Sequence, residues 1–318
     1  MALDDASTAL LMQLGESGLP PISDMTPEQA RALGPALAEM YGPGPDVEDV
    51  VEPADAPVPV RVIVPAGTPR GVVVYYHGGG WVIGALDEFE TLGRTLAVRT
   101  GCVVVLVDYR LAPEHRYPTA VDDAWAALRW VDEHVETLAG ARDTERSGAG
   151  PSGRLPVIVA GDSAGGNLAA IVARRARDAG GPAITAQVLV YPVTDANVDR
   201  PSYTDPANQL IVSRGAMIWF WGHYVPDPAL RGEPDASPLR AEDLGGLPPA
   251  AVLLAEHDPL RDEGQAYAER LAEAGTTVST LLVPGQMHGF FTLLTLPGAA
   301  VGMDFVVEEI AKHLAPTP

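Results

Sequence analysis

Ser163 lies in Gly161-Asp162-Ser163-Ala164-Gly165, between the apolar run Leu155–Ala160 and the alanine-rich stretch Asn167–Ala179. The run reads as a buried strand and the stretch as a helix. A serine at such a turn is held in strained backbone, with its hydroxyl pushed out of the sheet. Glycines on either side let strand and helix approach closely. The helix N-terminus points free N–H groups and its positive dipole end at the same spot. This suits a nucleophile whose reaction develops negative charge on an oxygen. Alone, the stretch is equally an ordinary glycine-rich turn with an incidental serine, and other parts of the chain must decide.

Three further stretches bear on that choice. His77-Gly78-Gly79-Gly80-Trp81 directly follows the apolar run Gly71–Tyr76. Consecutive glycines let backbone N–H groups turn inward and meet a developing oxyanion. Asp258 stands just past the strand predicted over Ala251–Glu256, at the carboxyl end where open α/β sheets carry functional groups. A carboxylate there can orient a histidine. Asp262 and Glu263 compete with it, but they open the next helix and read better as capping and dipole-complementing acids. His288, in Gln286-Met287-His288-Gly289-Phe290, follows the last predicted strand, Thr277–Val283. Imidazole is the usual base for a serine hydroxyl. The rival histidines are less well placed. His115 and His134 lie in or beside a long helix, His223 in an irregular stretch and His313 near the C-terminal end. His257 faces away from Asp258 in an extended segment.

The elements that position these residues alternate. Valine-rich strands are predicted at 47–51, 58–64, 71–76, 102–108, 155–160, 184–191, 251–256 and 277–283, with helices at 88–99, 120–138, 167–179, 263–274 and 303–314. That rhythm indicates an α/β fold with a mostly parallel, doubly wound sheet. Two regions break it. Residues 1–45 carry amphipathic patterns, among them Ala9, Leu10, Leu11 and Leu14 on one face. Thr26-Pro27-Glu28-Gln29 then reads as a capped helix start, interrupted later by Gly34-Pro35. Residues 196–245 are proline-rich and hold one helix-like aromatic run, Met217–Trp221.

Bulk properties narrow the classes. The 318 residues allow one large domain with a sizeable core. The net charge of −21 argues against a nucleic-acid partner. No run approaches the ~18 apolar residues of a membrane span. The acidic opening Met1–Asp5 is unlike a secretory signal, so a cytoplasmic protein with no membrane partner is the expectation. Cys102, the only cysteine, sits in an apolar run and reads as a small buried hydrophobe. No H-E-x-x-H, dinucleotide glycine fingerprint or P-loop occurs, so no metal and no cofactor are expected.

Taken together, the chain resembles the hormone-sensitive-lipase-like, or bacterial family IV, esterases of the α/β-hydrolases. The resemblance covers about residues 45–318. It rests on His77–Trp81, Asp108-Tyr-Arg-Leu-Ala-Pro-Glu114, Gly161–Asn167, Asp258–Glu263 and His288-Gly-Phe290, in family order. It implies an α/β-hydrolase fold that hydrolyses carboxylic esters. Ser163 would be the nucleophile, His288 the base and Asp258 its orienting acid. The backbone N–H groups of Gly79, Gly80 and Ala164 would form the oxyanion hole, and His77 would brace the glycine loop. It further implies a helical cap, from 1–45 and the 196–245 insertion, over a catalytic domain formed by 46–195 and 246–318. A closed pocket suits short- to medium-chain esters, with Trp81, Trp219, Phe220, Phe290 and Phe291 as candidate apolar walls, each equally open to a place in the core. Amides, lactones and formamides are open alternatives, as is a small-molecule receptor on the same fold. A homodimer is also left open. One departure is the loop Arg142–Gly153, longer than is usual in that family.

Overall fold

A computed structural model describes residues 2–138 and 154–314; the loop Arg142–Gly153 lies outside the described residues. Eight strands form one sheet: β1 (Asp49–Val51), β2 (Val60–Val64), β3 (Val72–Tyr76), β4 (Val103–Val107), β5 (Val157–Asp162), β6 (Ala186–Val190), β7 (Ala250–His257) and β8 (Val278–Met287). Their order is β1-β2-β4-β3-β5-β6-β7-β8, and only β1 and β2 run antiparallel to their neighbours. The helices are α1 (Asp5–Glu16), α2 (Pro27–Arg31), α3 (Gly34–Tyr41), α4 (Leu86–Thr100), α5 (Thr119–Leu138), α6 (Ala164–Ala179), α7 (Pro201–Thr204), α8 (Arg214–Tyr224), α9 (Arg261–Glu273) and α10 (Pro297–Ala311).

The central strands are continuous apolar runs because both sheet faces are covered. Successive side chains alternate between faces. Val72, Val74 and Tyr76 join the core built with α5 and α6, whereas Val73 and Tyr75 join the one built with α4 and α10. Cys102 is buried in the second core, and burial pushes its thiol up to about 11.

Several boundaries differ from the sequence reading. β8 runs on to Met287 through Pro284-Gly285, with an irregularity in its pairing to β7. α10 begins at Pro297, several residues before the predicted Met303. Close packing requires two of its glycines. A Cβ on Gly298 would overlap the Gln286 side chain, and one on Gly302 would press on Leu253, Phe290 and Phe291. The Thr26 cap is as read: Thr26 Oγ1 accepts from Gln29 N, and Gln29 Oε1 accepts from Thr26 N.

The strand register delivers the site. Tyr76 pairs with Gly161, Asp162 with Val190 and His257 with Met287. The chain therefore leaves β3, β5, β7 and β8 along one edge of the sheet, and each of the four predicted stretches begins there.

α6 packs so tightly on the sheet that a Cβ on Gly165 would overlap the Tyr76 carbonyl oxygen. Backbone cannot give way as a flexible side chain can. Gly165→Ala is expected to destabilise by more than about 3 kcal/mol. Gly15→Ala, in α1 with nothing within 4 Å of its added carbon, is expected to stabilise by about 0.5–1 kcal/mol. Urea melts of both variants test this; similar midpoints for the two would contradict it.

Candidate active site

Ser163 ends the β5–α6 connection with φ 54° and ψ −117°, a backbone conformation that costs a non-glycine residue on the order of 1–3 kcal/mol. The surroundings fix it there. Ser163 N–H donates to Val190 O at 2.8 Å, and Ser163 O accepts from Asn167 N and Val193 N, each at 3.1 Å. On the inner side of the turn Gly161 and Gly165 touch, and a Cβ on Gly161 would overlap Gly165 backbone. The result aims the serine side chain outward at the N-terminus of α6.

His288 follows β8 and meets that side chain. Its Nε2 lies 3.0 Å from Ser163 Oγ, and its Nδ1 lies 2.7 Å from Asp258 Oδ2. A carboxylate can only accept, so Nδ1 carries the hydrogen and Nε2 is left to accept from the hydroxyl. Asp258 is wholly buried, and its other oxygen accepts from Leu260 N at 2.8 Å. Ser163 and His288 keep only 8% and 7% of their surface exposed, so the chain of three is almost entirely shielded from water. The Tyr191 ring stands 4.5 Å from the imidazole, with Tyr191 itself at φ 33°.

The other candidates for the acid go elsewhere. Glu263 is buried and accepts from Thr194 N at 2.8 Å. Asp262 accepts from Ser202 N at 2.9 Å. Both hold the start of the 196–245 segment rather than the histidine. His257 pairs with Met287 in the sheet and makes no bond to Asp258.

The glycine turn after β3 is fastened to the residue next to Ser163, through the bond from Gly78 N to Asp162 Oδ1. Gly79 and Gly80 have φ 107° and 58°, and Trp81 continues the run at 60°. Among the described residues, no backbone carbonyl outside the regular elements accepts from the N–H of Gly79, Gly80 or Ala164. His77 stays neutral, since burial lowers its imidazole to about 4. Its Nδ1–H donates to Gly78 O at 2.7 Å, its ring stacks on Tyr109 at 4.3 Å, and its carbonyl accepts from the Tyr109 hydroxyl at 2.7 Å.

Sequence reasoning gave Asp162 no role. Its Oδ1 accepts from Gly78 N at 2.9 Å and from the Tyr75 hydroxyl at 2.8 Å. The residue beside the serine thus fastens the glycine turn to β5. Only its place next to Ser163 could have hinted at this, because both donors are far away in sequence. Asn167 was missed in the same way. Its amide donates to Val193 O and Ala236 O, each at 3.0 Å, and so ties the 196–245 segment to α6.

The expected apolar walls separate into two groups. Phe220 lies directly against the glycine turn, where a Cβ on Gly80 would overlap its ring. Trp219 is half-buried beside it and donates its indole N–H to Met25 O at 3.2 Å. Trp81, Phe290 and Phe291 are fully buried. Trp81 stacks on Tyr224 at 4.3 Å, and Phe290 packs edge-on to Tyr191 at 5.8 Å. Those three are core residues. Among the described residues, no three His, Cys, Asp or Glu side chains are placed to share a metal ion, and no helix is long and apolar enough to cross a membrane.

A serine at a strand-to-helix elbow after β5, with the acid after β7 and the histidine after β8 on a mostly parallel sheet, is the arrangement of an α/β-hydrolase. The model of the family described by the alpha/beta hydrolase fold matches residues 73–292. The chain belongs to this family, in its hormone-sensitive-lipase-like branch. It is 45% identical to carboxylesterase NlhH of Mycobacterium tuberculosis over 249 residues, covering 76% of this chain and 74% of that one. With the ethyl acetate hydrolase of Pseudomonas putida it shares 39% over 246 residues, 76% and 73% of the two chains. The solved ester hydrolase EH1AB1 from the metagenome of Lake Arreo superposes with a TM-score of 0.87 at 35% identity, covering 98% and 99% of the two chains.

Burial pushes the Asp162 carboxyl from its ordinary 3.8 up to about 6, against the pull of its hydrogen bonds from Tyr75 and Gly78. An acid raised in this way holds its proton more tightly folded than unfolded. Its contribution to stability is therefore complete below about 4 and is lost as the pH rises through about 6. Asp162→Asn keeps the acceptor for both donors and cannot ionise. The variant is expected to gain on the wild type between pH 4 and 7, by up to about 3 kcal/mol. Paired urea midpoints across that range measure it, and a pH-independent difference would count against the raised carboxyl.

Proposed function

We propose that this protein is a carboxylic ester hydrolase in which Ser163 is the nucleophile, His288 the general base and Asp258 the acid that orients it. The observation that carries the reading is the unbroken chain from Ser163 Oγ through His288 to Asp258, at 3.0 and 2.7 Å, at the N-terminus of α6. Ser163 Oγ attacks the acyl carbon while His288 Nε2 takes its proton. Asp258 then faces an imidazolium, whose charge it stabilises. The tetrahedral oxyanion is met by the N–H groups of Gly79, Gly80 and Ala164, with the α6 dipole behind the last of them. His288 returns the proton to the departing alcohol. Water then attacks the acyl-serine with the same base, releasing the acid.

Residues 1–45 and 196–245 act as a cap. The Trp219–Met25 bond joins these two segments, and Phe220 presses on the oxyanion turn from the insertion side. A recess covered so closely favours short- to medium-chain acyl groups. The ethyl acetate hydrolase among its relatives supports the same preference. The expected partner is a small ester, with no cofactor.

Ser163→Ala is expected to lower kcat for p-nitrophenyl acetate by about 10⁴-fold or more without changing the fold. Residual activity above about 1% would rule out the serine. Across p-nitrophenyl esters of increasing acyl length, kcat/KM should peak at short to medium chains; a maximum at long chains would refute the closed recess.

A further inference from the structure

Arg31 closes α2, far in sequence from every residue of the site. Its guanidinium nevertheless reaches the turn that carries Gly79 and Gly80. Nε donates to the Val82 carbonyl at 2.8 Å, and one terminal nitrogen donates to the Ala112 carbonyl at 2.7 Å. The terminal nitrogens also hold the two Glu114 carboxylate oxygens, at 2.8 and 2.7 Å. Ala112 in turn donates its own N–H to the Trp81 carbonyl at 2.8 Å. The Gly79 carbonyl accepts from Val82 N at 3.1 Å and Ile83 N at 3.0 Å. The carbonyls of Gly79, Trp81 and Val82 are thus each committed to a donor. This matters because Gly79, Gly80 and Trp81 form a run of three positive φ angles; the glycines adopt theirs freely, but Trp81 at 60° keeps its own only where neighbours hold it.

We propose that Arg31 is a positioning residue for the oxyanion turn, supplied by the N-terminal helical segment. The inference rests on the ester-hydrolase reading above. Arg31 touches no substrate. It fixes the carbonyl at the exit of the turn and, through Ala112, the segment that holds Trp81. The glycine N–H groups then stay where an oxyanion forms. The arrangement is more than a surface ion pair. The Glu114 side chain is 48% exposed, and a pair of that kind is screened and contributes little on its own. The two main-chain bonds are partly buried, and they come from two separate loops. Only a planar fork with several fixed donors satisfies both carbonyls at once; an ammonium does not.

The test compares R31A, R31K and E114A with the wild type and S163A, using p-nitrophenyl acetate and a trifluoromethyl ketone that captures the serine as a tetrahedral adduct. Circular dichroism and thermal melts show which variants are folded. If the turn depends on Arg31, R31A and R31K both lose about 10- to 100-fold in kcat, with KM changed less than about threefold. Ketone affinity falls in parallel with kcat/KM, while E114A stays within about threefold of wild type. If Arg31 only anchors the cap through its ion pair, R31K restores activity and E114A matches R31A, which overturns the inference. Unchanged kcat in folded R31K overturns it as well, even should R31A fail to fold. Hydrolysis that survives in S163A overturns the serine reading and the inference with it. Hydrolysis lost in S163A but intact in R31K overturns the inference alone.

Discussion

The structure depends on how closely α6 can approach β3 and β5. Nothing larger than hydrogen fits at Gly161 or Gly165, where an added carbon would overlap Gly165 backbone or the Tyr76 carbonyl. This contact leaves no room for a relaxed connection, and the chain turns from strand to helix through a single residue at φ 54°. Strain at Ser163, the outward aim of its side chain and the direction of the α6 N-terminus are one geometric fact. The same contact brings β3 alongside, so the glycine turn that follows Tyr76 arrives within reach of Asp162.

Much of this was legible in the sequence because it is local. Strand, turn and helix around Ser163 are contiguous, and the glycines that announce the turn are the ones the packing requires. Asp258 and His288 were legible for a related reason: each stands at the end of an apolar run, and parallel strands bring such ends to one edge. Details that depend on remote partners were not legible. Asp162 looks like a spacer until Tyr75 and Gly78 are seen to donate to it. Nothing in the helix pattern of 27–31 marks Arg31 as a partner of Val82. The packing need for Gly298 and Gly302 was hidden as well, because Gln286, Leu253 and Phe290 lie elsewhere in the fold. For Trp81 and Phe290 the sequence left pocket wall and core packing open, because the choice depends on remote rings; both are buried, against Tyr224 and Tyr191 respectively.

The buried carboxylates show how the sheet edge manages polar groups. Asp162, Asp258 and Glu263 all lose their water, and each receives backbone N–H groups in return: Gly78, Leu260 and Thr194 respectively. Without such donors a buried carboxylate would cost several kcal/mol. Here each acid fastens one loop to the core. Two of the loops belong to the proposed catalytic machinery and the third begins the 196–245 segment.

The first helix of the chain is seated by the end of its last strand. Asp4 N–H donates to Gly285 O at 3.0 Å, the Asp4 carboxylate accepts from Gln286 Nε2 at 2.7 Å, and its other oxygen caps α1 at Ser7 N. Asp4 thus spends its backbone N–H and both carboxylate oxygens on bonds that tie the start of α1 to the end of β8. His288 follows that strand directly, so the N-terminal helix also steadies the segment that carries the imidazole to Ser163.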